Sequence, residues 1–116
     1  MKVIYIASPY AGDVKKNIEF AKEACQYVIT TGNAFFCPHL LYPQILDDNN
    51  PEERKLGLNL GKQLLLKCDE LWVFGNRISQ GMFEEIEFAR QNDIPVKRIQ
   101  SMDMVKEENK LCMEMR

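Results

Sequence analysis

Lys2 to Ala7 reads KVIYIA, and Ser8-Pro9-Tyr10-Ala11-Gly12 follows it directly. A β-branched and aromatic apolar run closed by proline and glycine is a strand that ends in a loop. Asp13 comes next and is a good N-cap. Ile18, Ala21, Ala24, Cys25 and Val28 then recur at helical spacing until Gly32 stops them. The same order of strand, loop and helix returns twice. Ala34 to Cys37 (AFFC) is a short strand of buried type, stopped by Pro38. After a loop, Asn50-Pro51-Glu52-Glu53 combines an N-cap, a proline at the first helical position and a capping-box glutamate, ahead of the apolar positions Leu56, Leu60, Leu64 and Leu65. Glu70 to Phe74 (ELWVF) is a third strand, closed by Gly75-Asn76. Ser79 then caps a helix whose apolar positions include Met82, Phe83, Ile86 and Ala89. Asn92-Asp93-Ile94-Pro95 turns the chain into a last strand, Val96 to Ile99, and the polar tail from Ser101 has room for one amphipathic helix.

Strands that alternate with helices imply right-handed βαβ crossovers and a mostly parallel sheet covered on both faces. The expected architecture is one α/β domain over residues 1–116. It is a Rossmann- or flavodoxin-like three-layer sandwich on a four- or five-stranded sheet, with the tail from about residue 101 outside the repeating pattern. A length of 116 residues suits a single hydrophobic core. With 15 basic and 17 acidic residues and a net charge of −2, the chain lacks the basic surface that polymeric nucleic acid demands. Apolar runs such as Leu64-Leu65-Leu66 are far shorter than a bilayer span, and Met1-Lys2 leads into a strand instead of a signal peptide. A cytoplasmic protein without a membrane partner is expected. Cys25, Cys37, Cys68 and Cys112 form no C-x-x-C pair and there is one histidine, so the cysteines read as reduced thiols in place of a zinc site.

In parallel α/β sheets, ligands bind beyond the carboxyl ends of the strands, near a topological switch point. That rule selects the loops Ser8 to Asp13, Cys37 to Asp48 and Gly75 to Glu85. In the last of these, Ser79-Gln80-Gly81-Met82-Phe83-Glu84-Glu85 sets a hydroxyl, a glycine and a carboxylate at the start of one helix. Free N–H groups there, with the Ser79 hydroxyl, suit a phosphate or a hydroxyl-bearing ligand. Gly81 reads either as a residue that lets a ligand come near or as a plain turn glycine. Glu84 and Glu87 are out of phase with the apolar stripe. Glu85, one turn ahead of Ala89 and beside Ile86, is the better inward-pointing carboxylate, although the pattern equally allows a solvated helix glutamate.

Three segments, Tyr5-Ile6-Ala7-Ser8-Pro9-Tyr10, Cys68-Asp69-Glu70-Leu71-Trp72-Val73 and Ser79-x-Gly81-x-x-x-Glu85-Ile86-x-x-Ala89, taken in that order, resemble the nucleoside 2-deoxyribosyltransferase-like superfamily. That superfamily includes the deoxyribosyltransferases that swap bases and the N-hydrolases of 2′-deoxynucleoside 5′-monophosphates. The likeness runs to about Val96. It implies cleavage or transfer at an N-glycosidic bond, with Glu85 as the nucleophile that forms a glycosyl-enzyme intermediate. A carboxylate suits this task because attack at the anomeric carbon passes through an oxocarbenium-like state, which an anion stabilises and then captures. By the same resemblance, Ser79 and Gly81 hold phosphate or a sugar hydroxyl. Tyr5 and the loop carrying Ser8, Tyr10 and Gly12 pack on sugar and base, with Tyr5 equally readable as a core aromatic. His39 falls near the hydrolases' site histidine once a one-residue gap is allowed, and otherwise reads as a loop histidine bonded to backbone.

One departure stands out. Many members carry an aspartate on the second helix, eight residues before the acid that opens strand three, which positions or protonates the leaving base. Counting back from Asp69 lands on Gly61, flanked by Asn59 and Gln63. Asp47 or Asp48 could supply that carboxylate from the loop, or Asp48 could be a turn residue. Asp69, at the amino end of its strand, reads as a structural turn residue. Arg54 pairs either with a phosphate at the site rim or with a nearby acid. No metal or organic cofactor is implied. The expected partner is a small nucleoside or nucleotide, and a homo-oligomer follows from the resemblance, with Met102, Met104, Met113 and Met115 either contributing to a contact or filling core. Two other readings remain. A nucleotide-binding module without catalysis is favoured by Gly61. A structural or partner-binding domain is disfavoured, because the candidate residues gather at one end of the sheet.

Overall fold

The computed structural model describes residues 1–100. Four strands, β1 (Val3–Ala7), β2 (Ala34–Phe36), β3 (Glu70–Phe74) and β4 (Val96–Ile99), form one sheet in the order β2-β1-β3-β4. Every pairing is parallel, with Tyr5 level with Phe36 on one side and Leu71 on the other. Three helices, α1 (Val14–Thr30), α2 (Pro51–Leu65) and α3 (Gln80–Gln91), make the crossovers. The α/β three-layer plan expected from the sequence is the one found. Cys112, the four tail methionines and the expected amphipathic helix after Ser101 lie outside the described residues.

Alternation along the central strands assigns the helices to their layers, because successive side chains of a strand point to opposite faces. Ile4 and Ile6 of β1 and Trp72 and Phe74 of β3 pack with Ala21, Ala24 and Val28 of α1. Their alternates Tyr5, Ala7, Leu71 and Val73 pack with Leu65 of α2 and Met82, Ile86 and Ala89 of α3. The step from β1 to β2 and the steps toward β3 and β4 run in opposite directions across the sheet. Right-handed crossovers therefore place α1 on one face and α2 and α3 on the other. The direction reverses between β1 and β3, which is the switch point.

The three helix starts are the ones read from the sequence. Asp13 Oδ1 accepts from Lys16 N at 3.2 Å, Asn50 Oδ1 from Glu52 N at 3.0 Å and Glu53 N at 3.3 Å, and Ser79 Oγ from Met82 N at 3.2 Å. Each cap satisfies amides that the helix cannot. Asp69 Oδ2 accepts from Val3 N at 2.7 Å, a structural role at the amino end of β3. At the opposite end of β3, Gly75 turns the chain with φ +100°, a conformation that penalises any residue with a Cβ.

The apolar face of α2 is not the one its leucines suggest. Leu56, Leu60 and Leu64 are exposed, while Gly61 and Leu65 are the buried positions. The helix turns its glycine side inward because bulky groups from the loop before it and from β1 already fill that space: a Cβ at Gly57 would meet Leu46 Cδ1 at 3.6 Å, and one at Gly61 would meet Tyr5 Oη at 3.0 Å. Phe83, counted among the apolar positions of α3, is likewise exposed; Met82, Ile86 and Ala89 carry the packing.

Candidate functional site

Beyond the carboxyl ends of β1 and β2, and beside the first turns of α2 and α3, Tyr5, Tyr10, His39, Asp48, Ser79, Gly81 and Glu85 line one cleft. Seven of the residues nominated from sequence thus meet in one place. Two do not reach its wall. Ser8 is fully buried, and its Oγ has no hydrogen-bond partner among the described residues. Gly12 is exposed with φ +100°, in the turn that leads to α1.

Glu85 lies one turn into α3 and faces the sheet, only 4% exposed. The solvated reading of this glutamate is therefore excluded. The Tyr5 hydroxyl donates a hydrogen bond to Glu85 Oε2. Burial pushes the Glu85 carboxyl up to about 7, against the Tyr5 hydrogen bond and the charge of Lys62, which pull it down; Glu84 adds a smaller upward push. Burial first, then the Glu85 charge and hydrogen bond, hold the Tyr5 phenol well above its ordinary value, so it stays a neutral donor. The Tyr5 ring belongs to the core of the α2–α3 face, as its core-aromatic reading has it, and the residue also lines the cleft.

The loop between β2 and α2 forms another wall. It holds two short 3-10 turns, Pro38–Leu40 and Tyr42–Gln44. The first turn presents His39, whose ring stacks on Tyr10 with centroids 5.2 Å apart and 13° between planes. Burial lowers the His39 imidazole below its usual range, while the Asp48 charge and the Ser8 backbone oppose that shift. Burial also raises the Tyr10 phenol, with Asp48 adding to it. Asp48 therefore acts electrostatically on both stacked rings.

At the third wall, the Ser79 oxygen caps α3 as acceptor, and its own proton is left to donate. Gly81 has no positive φ, and a Cβ there would touch only Leu58 Cδ2 at an ordinary 3.8 Å. Neither a turn nor packing demands glycine at this point, so the turn reading does not hold. Arg54 lines the cleft and its side chain makes no hydrogen bond or ion pair among the described residues, so the surface-pair reading is not met. Tyr42, Leu46, Glu53 and Leu58 also line the cleft and were not nominated from sequence as site residues, Glu53 being read there only as a helix-capping residue. The loop holding the first two was nominated, but an irregular loop has no period to say which side chains turn inward. Among the described residues, no group of three or more His, Cys, Asp or Glu side chains could hold a metal ion. No described helix is long and apolar enough to cross a membrane.

A family model described as a domain of unknown function, DUF7768, matches residues 2–99. No curated protein matches the chain in sequence. Among solved structures, the chain is similar to a 2-deoxyribosyltransferase from the psychrotolerant bacterium Bacillus psychrosaccharolyticus, with a TM-score of 0.68 and 18% identity over 84% of this chain and 72% of that one. It is also similar to a conserved protein from Enterococcus faecalis, with a TM-score of 0.61 and 21% identity over 84% of this chain and 62% of that one. At these identities the likeness is one of fold.

Proposed function

The chain belongs to the DUF7768 family, and we propose that it cleaves or transfers at the N-glycosidic bond of a nucleoside, 2′-deoxynucleoside or nucleoside 5′-monophosphate, through a glycosyl-enzyme intermediate on Glu85. The observation that carries this reading is a carboxylate only 4% exposed, on the wall of a cleft and held by a phenol. A carboxylate kept in so dry a place costs stability and is best explained by chemistry. The shared fold with a 2-deoxyribosyltransferase supports the same reading.

In the proposed reaction a Glu85 carboxylate oxygen bonds to the anomeric carbon as the carbon–nitrogen bond breaks. The base leaves with the bonding pair and takes a proton from solvent, which regains one when the attacking nucleophile is deprotonated. Water, or a second base, then attacks the same carbon and frees the carboxylate. The stacked Tyr10 and His39 rings offer the base a flat wall, and Ser79, the open Gly81 backbone and Arg54 offer donors to sugar hydroxyls or a phosphate. Because burial raises the Glu85 carboxyl to about 7, turnover by its ionised, nucleophilic form rises with pH through that region. A cytoplasmic homo-oligomer of single-domain subunits is the setting this reading implies, and the exposed leucines of α2 are apolar area that a subunit contact would cover.

The test is release of free base, followed by chromatography, from a panel of nucleosides and their 5′-monophosphates, with and without an acceptor base. Release by wild type that disappears in Glu85→Ala is the expected result, and the acceptor arm separates transfer from hydrolysis. An unchanged rate in Glu85→Ala rejects the role of Glu85. The second reading, a nucleotide-binding module without catalysis, is favoured by the glycine at position 61, where the resemblance implies an acid. Tight nucleotide binding with no base release over long incubation decides for it.

A further inference from the structure

Gly61 sits in the middle of α2, where glycine is the worst helix former after proline, and it is buried. Nothing in its own backbone calls for glycine, since its φ is not positive. What faces it is the Tyr5 hydroxyl, 3.0 Å from the place a Cβ would take. That approach is tighter than nine in ten real Cβ contacts, so the hydroxyl would have to give by a few tenths of an ångström, and Tyr5 is poorly placed to retreat: the residue is 1% exposed, and its ring is packed against Phe36 at 5.6 Å within the cluster that holds Leu65, Met82 and Ile86. The same hydroxyl donates to Glu85 Oε2. Helix α2 and helix α3 thus meet the phenol together, one through an absent side chain and the other through a carboxylate.

We propose that Gly61 is a positioning residue for Glu85: its missing side chain is the space that lets the Tyr5 hydroxyl reach the carboxylate. On this view glycine at 61 is a fitted part of the site instead of the scar of a lost acid. As a statement about catalysis this rests on Glu85 being the nucleophile; as a statement about geometry it does not. The groups that act on Glu85 are Tyr5 from β1, Lys62 from α2 and Glu84 on its own helix, and its charge is felt by Cys37 after β2. Gly61→Ala alters the charge of none of them, and the Tyr5 hydroxyl is the group that its Cβ would meet.

The experiment is a carboxyl ¹³C titration of Glu85 by NMR in wild type, Gly61→Ala, Tyr5→Phe and the double variant, with thermal unfolding of each. The readout needs no turnover, so it stands if base release is never seen. Gly61→Ala is expected to raise the Glu85 midpoint by up to about one pH unit, since the hydrogen bond to the ionised form is weakened. Tyr5→Phe is expected to raise it at least as far. In the Tyr5→Phe background, Gly61→Ala is expected to leave the midpoint where it is and to raise Tm, because alanine is the better helix former once the hydroxyl is gone. A Gly61→Ala chain that folds only when Tyr5 is also Phe gives the same support. An unmoved midpoint in Gly61→Ala, equal shifts in both backgrounds, or failure to fold in both overturns the proposal. If the titrations behave as expected and Glu85→Ala leaves base release unchanged, the geometry stands and the nucleophile reading fails.

Discussion

On the α1 face of the sheet, Ile4, Ile6, Trp72 and Phe74 meet Ala21, Ala24 and Val28; on the α2–α3 face, Tyr5, Ala7, Leu71 and Val73 meet Leu65, Met82 and Ile86, with the Glu85 carboxyl among them. Both faces are dry. The first is an ordinary core, built from apolar side chains whose burial stabilises the fold. The second holds an ionisable group in a place where its charged form is penalised, and a glycine inside a helix. Such choices weaken a structure, and they occur together on the face that borders the cleft. The contrast teaches where to look for function in a small α/β protein: at the layer that departs from good packing.

Substitutions on the two faces should separate stability from activity. The largest expected effect is on turnover. Glu85→Ala should lower base release by at least about a thousandfold, as removal of a nucleophile commonly does, with the circular dichroism spectrum retained. On the other face, Ile6→Ala should lower the free energy of unfolding by about 3–4 kcal/mol in urea titrations, the usual result of emptying a fully buried isoleucine. At a temperature where that variant remains folded, its pH profile should keep the wild-type midpoint. A shifted midpoint in Ile6→Ala would erase the distinction between the faces.

A pH series sharpens the same comparison. The Glu85 carboxyl is raised from 4.5 to about 7 in the folded chain. Below pH 4.5 both folded and unfolded forms carry the proton, so the group contributes nothing. Between 4.5 and 7 the unfolded chain releases it first, so stability falls as pH rises, and above 7 the loss is complete at up to about 3 kcal/mol. Glu85→Gln should therefore match wild type near pH 4 and exceed it at pH 8 in chemical denaturation. Parallel curves across that range would show that burial does not strain this carboxylate. The smallest effect belongs to the rim: Ser79→Ala should cost about 1 kcal/mol through loss of the α3 cap. If Ser79 also holds the ligand, Kd for nucleotide rises by more than that loss of stability explains.

Much of this fold is legible in the sequence. The order of strands and helices followed from apolar periods and their punctuation, and the caps at Asp13, Asn50 and Ser79 followed from residue type alone. The inward phase of Glu85 could be preferred over Glu84 and Glu87, though not over a solvated glutamate. Other features had weaker or misleading signals. Leu56, Leu60 and Leu64 form a convincing stripe on α2, yet they are exposed, because a stripe records which residues share a face and not which face finds a partner. Tyr42 and Leu46 had no period to nominate them.

What the sequence by itself determined is therefore the local part: element boundaries, strand alternation, helix caps and the end of the sheet where the candidate residues gather. These depend on neighbours within a few residues, whose spacing is set by backbone geometry. What only the tertiary structure decided is the contact of Tyr5 with Glu85, 80 positions apart, and the glycine that makes room for it. That contact exists because α2 and α3 dock on one face of the sheet beside β1. Docking of this kind is fixed by how whole elements fill space together, which no single segment encodes.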